Sequence, residues 1–143
     1  AELILDSQAG EVPVIEDKRI QEINFGELEG VICFNDAHEY LNPEMEKFFT
    51  DPWKFKRPKH GENIADILAR TKDFWDEKIH DPSLLDKTIL IASHGCAVRA
   101  LLQNVYQDPE NFWHGCVPPN CSVNVVEVKD GQAVLLEEDK VYA

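Results

Sequence analysis

The stretch "TILIASHGCAVRALL", Thr88 to Leu102, joins two hydropathy patterns at one point. Its first part is a continuous apolar run, which predicts a buried strand over Lys87 to Ala92. Its last part, rich in Ala and Leu, predicts a helix over Ala97 to Tyr106. Between them stands Ser93-His94-Gly95. A strand feeding a helix through this junction places His94 at the carboxyl end of a sheet, where open α/β folds bind ligands. Gly95 lets backbone approach a ligand. The following helix directs its free amides and positive dipole end to the same spot. The imidazole of His94 and the amides near Gly95 and Cys96 thus form a candidate site for an anion such as phosphate.

Upstream of the junction, Ala1 to Gln8 is helix-like and Val12 to Asp17 is a short extended segment. Arg19 to Gly30 reads as a loop or weak helical turn. A helix interrupted near Asn42-Pro43 is expected over Asp36 to Thr50, followed by a basic, proline-bearing loop to Asn63. Asn63 caps an amphipathic helix running to about Ile79, with Ile64, Ile67, Leu68, Phe74 and Trp75 as its apolar set. Downstream, "DPENFWHG" is a short helix or turn. Cys121 to Val128 alternates as a strand, Asp130-Gly131 turns, and Ala133 to Leu136 returns. The acidic end "EEDK" reads as a solvated tail. Strands alternating with helices and closing on a hairpin predict one α/β sandwich domain over residues 1–143.

The 143 residues are 43% hydrophobic and 29% charged, the profile of a globular chain. The formal net charge of −13 argues against nonspecific binding to nucleic acid or to anionic membranes. No apolar run approaches the ~20 residues of a membrane span, and no secretory signal is present in "AELILDSQAGE". "AELIL" reads as the tail of a helix whose beginning is absent, so the chain is expected to be a fragment or a processed product. Four cysteines without a CxxC pair suit reduced thiols and a cytoplasmic location.

Glu22, Glu27 and Glu29 lie in a loop with Gly26 and Gly30. A carboxylic acid beside a phosphate site can protonate a leaving group, although three loop carboxylates by themselves read as solvated surface. His94 and His114 each precede a cysteine by two positions, and Cys121 follows. Zinc takes both ligand types, but this spacing matches no zinc ligand set, so no metal site is expected. Cys96 and Cys116 read as small buried hydrophobes, and Trp53, Trp75 and Trp113 as core residues. Arg99 reads as an ion-pair partner rather than a phosphate ligand.

Taken in order, "DKRIQEINFGELEG", "HGENIADILART", "TILIASHGCAVRALL" and "PPNCSVNVVEV" resemble the histidine phosphatase superfamily, the phosphoglycerate mutase-like proteins. The resemblance implies a three-layer α/β sandwich with a largely parallel sheet. It implies phosphoryl transfer through a phosphohistidine on a phosphorylated small-molecule substrate, with no metal and no cofactor. By match, His94 resembles the family's second histidine, which holds the phosphoryl group. Glu22 resembles the acid that protonates the leaving oxygen, and the amide of Gly95 or Cys96 would add an oxyanion contact.

One departure is large. The family's nucleophile lies in an Arg-His-Gly motif ending the first strand, and a second arginine follows in a Ser-x-Leu-x-Arg motif. Neither motif occurs in these residues. "KHGEN", Lys59 to Asn63, has similar letters but follows a proline-bearing loop rather than a strand. His60 is therefore read as an exposed loop residue beside Lys56, Arg57 and Lys59. Loss of the central first strand would leave unpaired strand edges, each buried amide costing on the order of 1–3 kcal/mol. A complementing N-terminal segment is accordingly expected. The function implied is phosphomonoester hydrolysis, with phosphoglycerate mutation or an inactive phosphate-binding module as alternatives.

Overall fold

A computed structural model describes residues 10–142, and the helix expected over Ala1–Gln8 lies outside them. Among the described residues the regular structure is mixed: three α-helices, four short 3₁₀ turns and one antiparallel β-hairpin. Helix α1 is Pro43–Thr50, α2 is Ile64–His80 and α3 is Gly95–Leu102. Strands β1, Val123–Lys129, and β2, Gln132–Lys140, pair with each other through the Asp130-Gly131 turn. No helix among them is long and apolar enough to cross a membrane.

Local chemistry sets the helix starts. The Asn63 side chain accepts from the Asp66 amide at 3.1 Å, and the Asp66 carboxylate accepts from the Asn63 amide at 2.9 Å. This reciprocal pair serves both amides at the helix start, and such a cap is worth about 1 kcal/mol. Asn42 caps α1 in one direction only, its side-chain oxygen accepting from the Glu44 and Met45 amides, with Pro43 as the first helical residue. The helix expected to start at Asp36 begins only there. Asn35 explains the delay, because its side-chain oxygen takes the amides of Ala37 and Glu39 and folds the chain into a turn.

The core gathers Ile23, Met45, Phe48, Phe55, Ile64, Ile67, Cys96, Ala97, Ala100, Phe112 and Trp113. Phe48 sits at its centre, with edge-on contacts to Phe25, Phe55 and Trp113 at centroid distances of 5.0–5.2 Å. The Trp113 indole N–H donates to the Phe48 carbonyl at 2.9 Å, so this ring is buried without an orphaned donor. Trp53 differs from expectation: it is exposed and donates to the Glu110 carbonyl. Cys116 is also exposed, whereas Cys96 is buried.

Two further expectations are corrected. Lys87 to Ala92 forms no strand, and Ile89 and Leu90 are 48% and 65% exposed. An extended segment becomes a strand only when a neighbour takes its amides and carbonyls. Among the described residues none does, because β1 and β2 pair only with each other. The acidic end is likewise no solvated tail. Glu137 to Lys140 completes β2, and Glu138 and Asp139 pair with the fully buried Arg99 of α3. Arg99 also donates to the Cys116 carbonyl at 2.9 Å and the Tyr106 hydroxyl at 2.8 Å. Arg99 is thus the ion-pair partner expected, and it ties α3 to the hairpin.

Candidate active site

His94 is the residue before α3, with extended backbone (φ −121°, ψ 168°). Its side chain is exposed and makes no capping bond to the helix. Ser93, beside it, donates its hydroxyl to the Ile20 carbonyl at 2.7 Å. That bond stitches the junction to the loop carrying Glu22, more than seventy residues earlier in sequence.

Glu22 reaches the same helix end. Its Oε2 accepts from the Cys96 amide at 3.1 Å. Its Oε1 accepts from the Ala97 amide at 3.1 Å and the Ile23 amide at 2.9 Å. A carboxylate on these amides satisfies donors that the helix leaves open and complements its dipole. The Glu22 carboxylate and the residue His94 therefore stand at one helix terminus. The expected role of the Cys96 amide changes, because Glu22 already takes that donor. Among the described residues the Gly95 amide has no backbone acceptor. A Cβ at Gly95 would lie 2.8 Å from the Val117 side chain and 3.9 Å from Glu22 Oε2. Gly95 thus lets the Val117-Pro118 loop close over the junction.

The Cys96 thiol is pushed far above its ordinary range by burial, with the neighbouring Glu22 charge adding to the effect. It remains a protonated, inert thiol and contributes packing, not nucleophilicity. No cluster of His, Cys, Asp and Glu among the described residues is arranged to hold a metal ion. The surface depressions at Trp53, Pro109 and Glu110, and at Leu68, Lys72 and Asn104, include neither Glu22 nor His94.

The loop bearing Glu22 is held by groups the sequence reading passed over. Arg70 of α2 donates to the carbonyls of Arg19 and Gln21, both at 2.8 Å, and of Glu22 at 3.1 Å. Its remaining donors grip Glu62 at 2.7 and 2.9 Å, and this pair holds the Glu62 carboxyl below the usual range. Glu62 in turn accepts from the Asn24 amide at 3.0 Å. A readable signal existed: Arg70 stands between Ile67 and Phe74 on the apolar stripe of α2, where a charge needs a buried partner. Farther along, Gly26 (φ +54°) sits on the turn at Lys59–Gly61. His60 lies in that turn as an exposed residue, as its sequence context indicates.

The model of the histidine phosphatase superfamily, branch 1, matches residues 1–139. The 2,3-bisphosphoglycerate-dependent phosphoglycerate mutase 2 of Gloeobacter violaceus is 31% identical, covering 66% of this chain and 42% of that protein. The 2,3-bisphosphoglycerate-dependent phosphoglycerate mutase of Cytophaga hutchinsonii is 27% identical over 78% of this chain and 52% of its own length. That of Neisseria meningitidis serogroup C is 29% identical over 87% and 65%. The chain thus spans about half the length of the curated relatives it matches. With the family pattern running through nearly all of its residues, this chain belongs to the histidine phosphatase superfamily.

Proposed function

We propose that the intact protein carrying this chain hydrolyses phosphomonoesters of small molecules through a phosphohistidine, and that residues 1–143 form the larger, C-terminal part of a single domain. The observation that carries this reading is the seating of the Glu22 carboxyl on the first amides of α3, the helix that His94 precedes, with Glu22 Oε2 3.1 Å from the Cys96 amide. In this mechanism a histidine from a segment preceding these residues attacks phosphorus, and the bond to the leaving oxygen breaks. Glu22 enters this step as the carboxylic acid, gives its proton to the departing alkoxide and is left as the carboxylate that the amides hold. Water then attacks the phosphohistidine and returns a proton to Glu22. Oε2 suits the proton transfer, because it accepts one amide where Oε1 accepts two. His94 and the Gly95 amide hold the transferred phosphoryl oxygens.

The same preceding segment supplies the partner strand for Lys87–Ala92 and completes a three-layer sandwich with a largely parallel sheet. The exposure of Ile89 and Leu90 supports this, since apolar side chains on an unpaired extended segment mark a surface that another strand covers. Four unpaired thiols support a cytoplasmic setting. A second reading, phosphoglycerate mutation, is favoured by the relatives, which are phosphoglycerate mutases. The test uses the intact protein with alkyl phosphomonoesters and with phosphoglycerates, together with acid-labile trapping of phosphohistidine. Phosphate release and a trapped phosphohistidine that His94→Ala lowers by about 10²-fold or more are expected. Interconversion of phosphoglycerates without net phosphate release selects the mutase. Neither turnover nor trapping leaves only anion binding and defeats the enzyme reading.

A further inference from the structure

We propose that Arg70 is a positioning residue that sets the Glu22 carboxylate on the amides of α3 and, through it, the proton transfer to the leaving group; the second half of this statement rests on the function proposed above.

The argument begins with donor geometry. A guanidinium offers five N–H groups in a fixed planar fork, and its charge needs compensation when withdrawn from water. In Arg70 that fork spans two duties. Nε and Nη2 face the Glu62 carboxylate at 2.7 and 2.9 Å. Nη1 and Nη2 face outward to three main-chain carbonyls, those of Arg19, Gln21 and Glu22. Glu62 extends the hold by accepting from the Asn24 amide. The backbone is therefore gripped at 19, 21, 22 and 24, on both sides of the Glu22 side chain.

This grip is registered to α2. Arg19 adds ion pairs to Asp73 and Glu77, one and two turns beyond Arg70 on the same helix. Ser93, one residue before His94, donates to the Ile20 carbonyl of the same loop. Helices α2 and α3 share the core through Ile64, Ile67, Ala97 and Ala100. With both ends of the route fixed, a short Glu22 side chain reaches the Cys96 and Ala97 amides in one place. A lysine at 70 cannot reproduce this, because a compact ammonium cannot serve a bidentate carboxylate and three carbonyls together. Loosening the loop by about 1 Å is enough to degrade a positioned proton donor.

The experiment compares wild type, Arg70→Lys, Glu62→Gln and Glu22→Gln of the intact protein on two substrates. An alkyl phosphate has a poor leaving group and needs the acid; p-nitrophenyl phosphate departs as a stabilised phenolate and needs it little. The readout is kcat/KM, which reports the step in which the leaving group departs. Glu22→Gln is expected to lose about 10²-fold on the alkyl ester and far less on the aryl ester. Arg70→Lys is expected to show the same bias at about 10-fold, with Glu62→Gln in the same direction. Equal losses on both substrates, or no loss, overturn the proposal while leaving the phosphatase reading intact. A second measurement stands apart from activity: amide hydrogen exchange at Cys96 and Ala97. Arg70→Lys is expected to speed exchange at these two amides about 10-fold or more, while the last turn of α3 stays unchanged. Unchanged exchange there refutes the positioning role, even if wild type proves inactive. Glu62→Gln carries both readouts should Arg70→Lys fail to fold.

Discussion

Replacing Gly26 with alanine probes how the Glu22 loop is seated, and Gly30 provides an internal control. Both glycines have positive φ, +54° and +75°. Alanine in the left-handed region costs roughly 1–2 kcal/mol at either position. Their surroundings differ. A Cβ at Gly30 meets nothing within 4 Å, whereas one at Gly26 would lie 2.3 Å from the Lys59 carbonyl oxygen and 2.6 Å from the Gly61 amide nitrogen. These are backbone atoms, so no side chain can swing aside. The loop and the turn must part by about 1 Å to restore van der Waals contact. Two hydrogen bonds cross this seam, Glu27 amide to Lys59 carbonyl at 3.1 Å and Glu62 amide to Asn24 carbonyl at 2.7 Å. Weakening both adds roughly 1–3 kcal/mol. Gly26→Ala is therefore expected to destabilise by about 2–5 kcal/mol, against about 1–2 kcal/mol for Gly30→Ala. Urea unfolding of the intact protein, with equal m-values, measures the gap. Two variants within about 0.5 kcal/mol of each other would refute the backbone-contact argument.

Two further outcomes follow from the ion pairs. Arg99→Met leaves Asp139, Glu138 and the Cys116 carbonyl without their buried donor, and a loss of about 3–5 kcal/mol is expected by urea unfolding; a loss below about 1 kcal/mol would show that these groups resolvate freely. Asp17, whose carboxyl is held down to about 2 by the Arg19 guanidinium, is a depressed acid. Its contribution is present above the ordinary carboxylate range and fades as pH falls toward the folded value. The stability difference between wild type and Asp17→Asn is thus expected to shrink from about pH 5 to about pH 2, and a pH-independent difference contradicts the assignment.

The sequence carried its strongest signals where local chemistry decides the structure. Asn63 with Asp66 three positions later marked the start of α2, and Asp130-Gly131 marked the hairpin turn, because each depends on groups within a few residues. The start of α1 was misread because Asn35 offers a competing local bond, which hydropathy does not register. Lys87–Ala92 failed for the opposite reason. Its apolar run is a sound strand signal, but strand formation requires a neighbour, and among the described residues there is none.

The site divides along the same line. Sequence by itself, through the Ser93-His94-Gly95 junction and the Glu22 loop, determined which two side chains to examine and the family pattern they fit. It did not determine that Glu22 takes the Cys96 and Ala97 amides, because that contact joins residues more than seventy positions apart. Nor did it show that Arg70 binds three carbonyls of that loop, or that Glu138 and Asp139 pair with the buried Arg99. A guanidinium's partners are chosen by what the core brings within 3 Å once the helices have packed. Charge and spacing in the chain cannot specify them, since the same arginine on a free helix would simply be solvated.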